Sequence, residues 1–342
     1  MKTIIVTGGG TAGHVMPIIA LLPLLSPCKI HYIGSSGMEK ELIKGLNLTY
    51  HEIASTKLVR SLTLKNLAIP FKLIKATREA KKIIDQIKPD LIFSKGGYVS
   101  LPVALASHKT PVILHESDKT LGLANKIALF KCDRLITSFG GFKSEKAICL
   151  GSPIRQSIYL GDKNKALNKC GLKKNGKPFL LILGGSLGSK KINLAVKQSL
   201  SALLGLFNII HVVGKGNLDG QNHPDYYQTE FISDIHDYFA LADFALSRGG
   251  ANCLFELIAL KIPTLCIPLG KAQSRGDQID NAKYFEKLGY LHYLLEEDLT
   301  PTTLITALNR LVKNSATLKN NMLGAVNIDG THAIANLINS YL

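Results

Sequence analysis

Apolar runs of strand length alternate with helical patterns along most of this chain of 342 residues. In the first half the runs lie at 3–7, 29–33, 50–54, 91–93, 111–114, 134–137 and 147–150. In the second half they lie at 179–183, 208–213, 243–247, 264–268 and 290–295. This alternation predicts an α/β fold of doubly wound parallel sheets with helices on both faces.

The pattern breaks near the middle of the chain, which indicates two domains. Gly151-Ser152-Pro153 ends the first series, and a polar, lysine-rich stretch follows as far as Pro178. Domains commonly hold about 100 to 200 residues, so the length also favours two. We predict a first domain over 1–154, a linker near 151–178 and a second domain over 155–330.

Each half of the chain contains a glycine loop between a strand run and a helical pattern. The first is Gly8-Gly9-Gly10-Thr11-Ala12-Gly13-His14, and the second is Gly184-Gly185-Ser186-Leu187-Gly188-Ser189. Glycines let the backbone turn tightly and approach a ligand, and the amides at a helix N-terminus favour negative charge. Two such units predict two Rossmann-like domains that face each other, with the site in the cleft between them.

The net charge of +16 biases the surface towards anionic partners, which include nucleic acid, anionic lipid and phosphorylated substrates. The chain has no recognisable nucleic-acid motif, so a nucleic-acid-binding protein stays an alternative that rests on charge alone. The six cysteines form no CxxC pair, which is typical of reduced thiols in a cytosolic protein. No apolar stretch reaches the roughly 18 residues of a membrane span, and no secretory signal is recognisable.

The first glycine loop also matches the GxGxxG pattern of dinucleotide enzymes, at Gly8, Gly10 and Gly13. A nicotinamide site usually has an acid at the end of the second strand to hold the ribose. Here that strand ends Tyr32-Ile33-Gly34-Ser35-Ser36, without an acid. The missing acid argues against a dehydrogenase.

Several candidate chemical groups follow directly after predicted strands. His14 lies at the start of a predicted helix, where the amides disfavour a protonated ring and suit a general base. A histidine that caps the helix or bonds within the loop is an equal alternative. His115-Glu116 ends another strand, either as a structural pair or as part of the site.

Glu256 lies one turn into a helix that follows Arg248-Gly249-Gly250, where a carboxylate can accept bonds from a ribose diol. A solvated helix carboxylate is the alternative. The chain has no DxD pair, and its histidines lack metal-ligand spacing. We therefore expect no cofactor or metal ion, and a leaving diphosphate stabilised by amides and side chains.

Leu67, Phe71 and Ile74 repeat at helical spacing, interleaved with Lys65, Lys72, Lys75 and Arg78. An apolar stripe flanked by cations is how a helix lies on an anionic membrane surface. Such a stripe is more often the buried face of a helix. Pro70 suits the first turn of this helix.

Taken together, the motifs resemble the MurG family of peripheral membrane N-acetylglucosaminyltransferases in bacterial cell-wall synthesis. Five motifs stand in the family's order, and Asp277-Gln278-Ile279-Asp280-Asn281 supports them. They are Gly9-Gly10-Thr11-Ala12-Gly13-His14, Gly96-Gly97-Tyr98-Val99-Ser100, His115-Glu116-Ser117-Asp118, Gly184-Gly185-Ser186 and the segment from Arg248 to Glu256.

The resemblance implies a two-domain GT-B glycosyltransferase that moves N-acetylglucosamine (GlcNAc) from UDP-GlcNAc to undecaprenyl-diphospho-MurNAc-pentapeptide. This transfer turns lipid I into lipid II. It is expected to invert the anomeric centre and to need no metal ion. It further implies a peripheral enzyme on the cytoplasmic face of the inner membrane, in contact with anionic lipid and with other wall-synthesis proteins. A nucleotide-sugar 2-epimerase of similar build is the alternative. The last helix, about 331–342, is expected to pack on the first domain.

The family's functional residues carry over position by position. His14 and Glu116 are the expected catalytic residues. The residues expected to approach the sugar and acceptor from the first domain are Thr11, Ala12, Gly13, Tyr98, Asp118 and Asn125. The residues expected to bind the nucleotide sugar are Arg155, Ser186, Ile232, Ala251, Asn252, Cys253, Leu254, Phe255, Glu256 and Gln278.

The chain departs from the family pattern at a few positions. Ala12 stands where the family usually has glycine, and Ser117-Asp118 where it usually has Gln-Asn. Gly249 and Cys253 replace frequent Ser and Thr. Asp118 matters most, because a carboxylate accepts hydrogen bonds but cannot donate them as an amide does. Its contact to the sugar is therefore expected to differ.

Overall fold

The computed structural model describes residues 1–54, 69–185, 188–271 and 274–342. Leu67 and Ser186, two of the predicted site residues, lie outside the described residues. The chain divides into two compact units. The first unit comprises Met1–Arg155 and Asp329–Leu342, and the second comprises Gln156–Ile328.

The first unit is built on a parallel sheet of seven strands. The strands are β1 (Thr3–Thr7), β2 (Lys29–Gly34), β3 (Thr49–Glu52), β4 (Leu91–Ser94), β5 (Val112–Glu116), β6 (Arg134–Thr137) and β7 (Ala147–Cys149). Their order is β3-β2-β1-β4-β5-β6-β7. The order reverses between β1 and β4, which is where ligands bind in open sheets of this kind.

Helices cover both faces of this sheet. They are α1 (Ala12–Leu21), α2 (Met38–Leu42), α3 (Ile69–Ile87), α4 (Ser100–Ala106) and α5 (Leu123–Ala128). On one face Ile5 and Ile33 pack with Ala80 of α3 and Ala104 of α4. This two-sided burial is why the central strands read as continuous apolar runs.

The C-terminal segment Thr331–Asn339 forms a further helix of the first unit. Its Ile334 and Ile338 join the core that contains Ile18 of α1. Asn339 fixes the end of the segment, because its side chain accepts from the Ser26 amide at 2.8 Å and donates to the Leu24 carbonyl at 3.0 Å.

The second unit contains a parallel sheet of six strands. They are β8 (Phe179–Leu183), β9 (Asn208–Val212), β10 (Tyr226–Thr229), β11 (Phe244–Ser247), β12 (Thr264–Cys266) and β13 (His292–Tyr293). Their order is β10-β9-β8-β11-β12-β13, which reverses between β8 and β11. The helices, in chain order, are α6 (Lys163–Cys170), α7 (Lys190–Gln198), α8 (Leu200–Leu206), α9 (Ile235–Leu241), α10 (Ala251–Ala259), α11 (Asp277–Lys287) and α12 (Pro301–Leu323), so the C-terminal helix of the first unit is α13.

The predicted α/β class with two doubly wound parallel sheets is confirmed. The prediction of a linker near 151–178 is wrong, because α6 lies within that stretch and belongs to the second unit. Asp162 caps α6 by accepting from the Asn164 amide, and Gly171 ends it in the left-handed conformation. Ala166 and Cys170 are buried, so the lysines occupy the outer face of a docked helix.

Candidate active site

The first glycine loop lies at the carboxyl end of β1, beside the loop that follows β4. Gly10 and Gly97 both have positive φ angles, of 85° and 90°. A side chain at position 10 would overlap the Tyr98 ring, and a Cβ atom at position 97 would lie 2.6 Å from the Gly9 carbonyl oxygen. The two loops therefore approach so closely that both positions require glycine.

A buried carboxylate already occupies the first glycine loop. Glu39 of α2 has no exposed surface, and its carboxylate accepts from the Gly10 amide at 3.3 Å and the Ser35 amide at 2.9 Å. The Tyr32 hydroxyl donates to the Gly8 carbonyl at 2.5 Å. The Gly10 amide is thus engaged by an anion of the protein itself, which disfavours a phosphate at this loop.

His14 lies in the first turn of α1, beside the loop after β4. Its Nδ1 atom is 2.9 Å from Thr11 Oγ1, and a Cβ atom on Gly97 would be 3.3 Å from the same nitrogen. A bond within the loop was one of the two roles that the sequence allowed for His14, and the contact with Thr11 is such a bond. When Nδ1–H donates to Thr11, the Nε2 atom carries the lone pair that a general base needs. Ala12 and Gly13, also in this turn, are half-buried.

Glu116 braces the loop that follows β5. Its side chain is 6% exposed and accepts from the amides of Asp118 at 3.1 Å and Gly122 at 2.8 Å. The Asn125 side chain donates to it at 3.0 Å and to the His115 carbonyl at 3.0 Å. A carboxylate with this many donors holds the loop in place, and this arrangement favours positioning over proton transfer for Glu116 and Asn125.

Two further titratable residues lie beneath this loop. Lys95 directly follows β4, is 1% exposed and donates from Nζ to Ser117 Oγ. Burial lowers the pKa of Lys95 to about 8, against the opposing effect of Glu116 and Asp118. Burial and the Lys95 charge hold the pKa of His115 well below its ordinary value, so His115 is neutral at pH 7. Its ring packs edge-on against Phe93 within the sheet.

In the second unit, Arg248 joins three segments at the carboxyl ends of the strands. Its Nη2 atom lies 2.5 Å from Ser189 Oγ and 2.5 Å from Glu296 Oε1, and Nη1 donates to the Ile267 carbonyl at 3.2 Å. Lys191 also pairs with Glu296, at 3.2 Å. Although burial opposes it, the hydrogen bonds from Arg248 and Lys191 hold the pKa of Glu296 below its ordinary value.

Helix α10 begins after Gly250 at the carboxyl end of β11 and presents one partly exposed face. Asn252 and Cys253 are partly exposed, and Glu256 follows them at spacings of four and three residues on the same side of the helix. Leu254 and Phe255 are core side chains, and Phe255 packs edge-on against Phe285 at 5.1 Å. The Ala251 side chain is buried as well, so the predicted contacts of Ala251, Leu254 and Phe255 with substrate stay a prediction for their backbone atoms.

Gln278 braces the start of α10. Its Oε1 atom accepts from the Gly249 amide at 3.2 Å and the Leu269 amide at 3.0 Å. Only its Nε2 atom could therefore donate to a ligand. Ile232 is half-buried in the loop between β10 and α9, and Arg155 is half-buried at the end of the first unit.

The apolar stripe on α3 is exposed. The sequence allowed either a membrane-facing stripe or the buried face of the helix. Phe71 is 75% exposed and Ile74 is 49% exposed, beside exposed Lys72 and Lys75. The buried face of α3 is formed instead by Ala76, Ala80 and Ile84. Two more exposed apolar side chains lie nearby, Leu123 on α5 and Phe130 just after it. Both α3 and α5 pack on α4.

Across the four described ranges, no cluster of three or more His, Cys, Asp or Glu side chains could hold a metal ion. None of the helices in that part of the chain is long and apolar enough to cross a membrane.

Two family models match the chain in the order of its two units. The N-terminal domain of glycosyltransferase family 28 matches residues 4–137, and the C-terminal domain of that family matches residues 179–338. The chain belongs to glycosyltransferase family 28.

Relatives in the family match from end to end. A Clostridium botulinum protein is 48% identical over 100% of this chain and 99% of its own length. A Clostridium tetani protein is 45% identical over 99% of this chain and 98% of its own length. Both are named UDP-N-acetylglucosamine--N-acetylmuramyl-(pentapeptide) pyrophosphoryl-undecaprenol N-acetylglucosamine transferase. The resemblance to the MurG family is confirmed.

Among solved structures, Acinetobacter baumannii MurG matches with a TM-score of 0.78 and 24% identity, over 99% of this chain and all of that one. The calicheamicin glycosyltransferase CalG4 matches with a TM-score of 0.71 and 15% identity, over 100% of this chain and 98% of that one. These matches confirm the predicted GT-B type of fold for this family 28 member.

Three residues that contact the glycine loops were not predicted as site residues. Glu39 lies on α2, whereas a ribose-binding acid was expected at the end of β2. Nothing in the composition distinguishes Lys95 from the other lysines of this basic chain. Arg248 belonged to a quoted motif but received no role. The only sequence signal for Lys95 and Arg248 is that each directly follows a buried strand of the switch point.

Proposed function

We infer that this protein transfers GlcNAc from UDP-GlcNAc to undecaprenyl-diphospho-MurNAc-pentapeptide, and so makes lipid II from lipid I in peptidoglycan synthesis. The observation that carries this conclusion is the end-to-end match, at 48% identity, to a protein named for that transfer. The loops at the switch points of both sheets support it, because each offers a different chemistry to a substrate.

The second unit is the proposed donor site. The diphosphate of UDP-GlcNAc meets the amides at the start of α10, near the positive charges of Arg248 and Lys191. Glu256 accepts from the ribose hydroxyls, and the Nε2 atom of Gln278 donates to the nucleotide. The remaining proposed contacts come from Arg155, Ser186, Ile232, Asn252 and Cys253 side chains, and from backbone atoms of Ala251, Leu254 and Phe255.

The first unit is the proposed acceptor site, with His14 as general base. The acceptor hydroxyl oxygen forms a bond to the anomeric carbon of GlcNAc, while the bond from that carbon to the diphosphate oxygen breaks. The electron pair leaves with UDP, and the hydroxyl proton passes to Nε2 of His14. Attack from the face opposite the leaving group inverts the anomeric centre, and amides and cations of the protein stabilise the leaving charge without a metal ion.

The other residues of the first unit hold substrate and base in place. The Thr11 hydroxyl orients the His14 ring, and the amides of Ala12 and Gly13 face the incoming sugar with Asp118. Tyr98 lies over Gly10 at the acceptor side. Glu116 and Asn125 act as positioning residues through the loop that carries Asp118.

A transfer assay tests the proposal directly. Purified protein is incubated with labelled UDP-GlcNAc and lipid I, with EDTA in one arm and without acceptor in another. We expect labelled lipid II in equal amounts with and without EDTA, and no UDP-sugar product when the acceptor is omitted. A 2-epimerised UDP-sugar without acceptor, or nucleic-acid binding with no affinity for UDP-GlcNAc, would replace the proposal with one of those functions.

We also propose that the protein works at the inner face of the cytoplasmic membrane, beside other wall-building enzymes. Phe71 and Ile74 insert between lipids, and Lys72 and Lys75 pair with anionic headgroups. The replacement Phe71→Asp with Ile74→Asp should abolish co-sedimentation with phosphatidylglycerol vesicles, while Lys81→Met, on the polar side of α3, should not. Unchanged binding of the double variant would exclude α3 as the anchor.

A further inference from the structure

His211 is a buried histidine of the second unit that the transfer reaction, as proposed above, leaves without a role. It lies in β9, all of whose residues are buried, and is itself 1% exposed. A buried imidazole costs free energy unless its nitrogens have hydrogen-bond partners. Here Nδ1 lies 2.9 Å from the Tyr226 hydroxyl and Nε2 lies 3.1 Å from Asn193 Oδ1. Both nitrogens are therefore satisfied by the protein itself.

These partners fix which nitrogen of His211 carries the proton. The Asn193 amide nitrogen donates to the Val213 carbonyl at 2.9 Å, so its oxygen faces the ring. Because that oxygen can only accept, Nε2 of His211 carries the proton and Nδ1 accepts from the Tyr226 hydroxyl. Burial lowers the pKa of His211 to about 4, against the opposing effect of Asp219. The ring is thus neutral at pH 7 and keeps one donor and one acceptor.

The hydrogen bonds of His211 belong to a longer chain that runs in one direction. The Gln228 side chain donates to the Tyr226 hydroxyl at 3.0 Å, and that hydroxyl donates to the ring. The ring donates to Asn193, and Asn193 donates to the Val213 carbonyl. Four consecutive donors thus connect β10 through β9 to α7 and end at the carbonyl that follows β9. Complete chains of this kind strengthen their members and hold one arrangement.

This chain of hydrogen bonds ends against the second glycine loop. Gly188 has a φ angle of 76°, and a Cβ atom at this position would overlap the Val213 carbonyl oxygen. The next residue, Ser189, caps α7 by accepting from the Ile192 amide at 3.2 Å. Its Oγ atom also lies 2.5 Å from Nη2 of Arg248. The Val213 carbonyl therefore sets the place of Gly188, and Gly188 sets the place of the serine that holds Arg248.

Asn193 connects the ring to Ser189 by a second route. It lies in α7, one turn after the cap, and its backbone amide donates to the Ser189 carbonyl at 2.8 Å. Its side chain is bonded to His211 and to Val213 of the strand segment beneath. The start of α7 cannot shift along β9 without breaking one of these bonds.

We propose that His211 is a positioning residue of the donor site, which holds the backbone at Gly188–Ser189 and thereby places Arg248 beside the diphosphate of the sugar nucleotide. The ring touches no substrate. The inference rests on the proposed function for the diphosphate, whereas the hold on the loop is a property of the fold. An apolar side chain at 211 would fill the space but leave Tyr226 and Asn193 without their partner.

Two matched replacements in β9 test the proposal. His211→Leu removes the bonds next to the glycine loop, and Asn208→Leu removes buried bonds at the amino end of the same strand. Asn208 has no exposed surface, and its side chain donates to Asn175 at 2.9 Å and to the Lys177 carbonyl at 3.0 Å. Both variants should lower the urea midpoint, because each leaves buried polar groups unpaired.

Substrate binding distinguishes the two variants. His211→Leu should weaken UDP binding in calorimetry by about tenfold, and raise the KM for UDP-GlcNAc by a similar factor, because Arg248 loses its placement. The KM for lipid I should stay within about twofold of the unchanged enzyme. Asn208→Leu should leave both values unchanged, since ligands bind at the carboxyl ends of the strands. Unchanged UDP binding in His211→Leu, or equal weakening in both variants, would overturn the proposal.

A conservative variant and a mutant cycle keep the test valid if His211→Leu folds poorly. His211→Gln retains one donor and one acceptor, so its UDP affinity should lie within about threefold of the unchanged enzyme. A loss as large as that of His211→Leu would show that ring shape matters and not the bonds. Combining His211→Leu with Asn193→Ala should weaken UDP binding no further than the worse single variant, because both interrupt one chain. Losses that multiply would overturn the proposal.

Hydrogen exchange needs no substrate and distinguishes the two proposals. The amides of Gly188 and Asn193 are bonded to the carbonyls of Gly185 and Ser189, at 3.0 Å and 2.8 Å. Exchange across 188–193 should accelerate about tenfold in His211→Leu and stay unchanged in Asn208→Leu. Faster exchange in a protein that binds no UDP would retain the positioning role and overturn the proposed function. Unchanged exchange in a variant that makes lipid II normally would overturn the positioning role alone.

Discussion

The two glycine loops occupy equivalent places in the two sheets but have opposite electrostatic surroundings. The loop at Gly8–Gly13 is held by a carboxylate, because Glu39 accepts from the Gly10 amide. The loop that ends at Ser189 is held by a cation, because Arg248 donates to Ser189 and is itself paired with Glu296. An anionic ligand is therefore disfavoured at the first loop and favoured at the second. This contrast supports the proposal of a base on the first unit and a diphosphate site on the second.

The largest expected effect is at the first loop, where a substitution should change the rate of the chemical step and leave substrate binding unchanged. His14→Ala should lower kcat by about 100- to 10,000-fold, because general base catalysis commonly contributes that much. Binding of UDP-GlcNAc should stay within about twofold of the unchanged enzyme, since the proposed nucleotide site belongs to the other unit. Steady-state kinetics and calorimetry measure the two quantities. Turnover near the unchanged value would remove the assigned role of His14.

At the second loop, Arg248→Met should weaken binding of UDP by about 30- to 1,000-fold. It removes a cation near the diphosphate and also leaves buried Glu296 without its main partner. Calorimetric titration with UDP measures the loss, and Arg310→Met, at an exposed position of α12, is the matched control. If Arg248→Met bound UDP normally and lost only turnover, the assignment of the diphosphate to the start of α10 beside Arg248 would be wrong.

Glu39→Gln sharpens the contrast, because it changes charge but not size. The amide nitrogen cannot accept, so the Gly10 or Ser35 amide loses its partner and the first loop loosens. We expect kcat to fall about tenfold and the free energy of unfolding to fall by about 1 to 3 kcal/mol. UDP affinity should not change. A variant that gained phosphate affinity at the first loop would support the electrostatic comparison further, whereas loss of UDP binding would contradict it.

The smallest effect is a pH dependence of the acceptor unit. The pKa of Lys95 is about 8 in the folded protein and its ordinary value is 10.5. Activity should fall a few-fold as pH rises through about 8, because the cation that faces Glu116 and Asp118, with His115 and His14 nearby, loses its proton.

Stability should change in the opposite direction in the same experiment. Between pH 8 and 10.5 the unfolded chain binds more protons at Lys95 than the folded chain, so this group contributes increasing stability as pH rises. Activity would thus be lost without unfolding. Parallel rate and urea-unfolding profiles measure both, and Lys95→Met should lack the alkaline fall in rate. The same alkaline fall in that variant would assign it to another group.

The sequence predicted the sheets well because both faces of each sheet are covered. Central strands such as Leu91–Ser94 are buried throughout and therefore read as apolar runs. Tyr226–Thr229 was missed because this edge strand contains two tyrosines, a glutamine and a threonine, without an apolar run. The stretch around α6 was read as a linker because lysines on its outer face masked two buried positions.

The candidate site was predicted where a motif is local and missed where partners are distant in sequence. His14 and Thr11 lie within one loop, so spacing brings them together. Arg248 contacts Ser189 and Glu296 across separations of 59 and 48 residues, which only the fold reveals. Glu39 was missed because the loop carboxylate lies on α2 and not at the end of β2. Leu254 and Phe255 were assigned to the ligand because the motif is contiguous, whereas the helix turns them into the core.

The most direct test of the central claim is a crystal structure of the full chain with UDP bound. The account predicts that the diphosphate oxygens lie within hydrogen-bonding distance of the amides at the start of α10, beside Arg248, with the ribose at Glu256. Diphosphate density at the Gly8–Gly13 loop, with Glu39 displaced from the Gly10 amide, would contradict it.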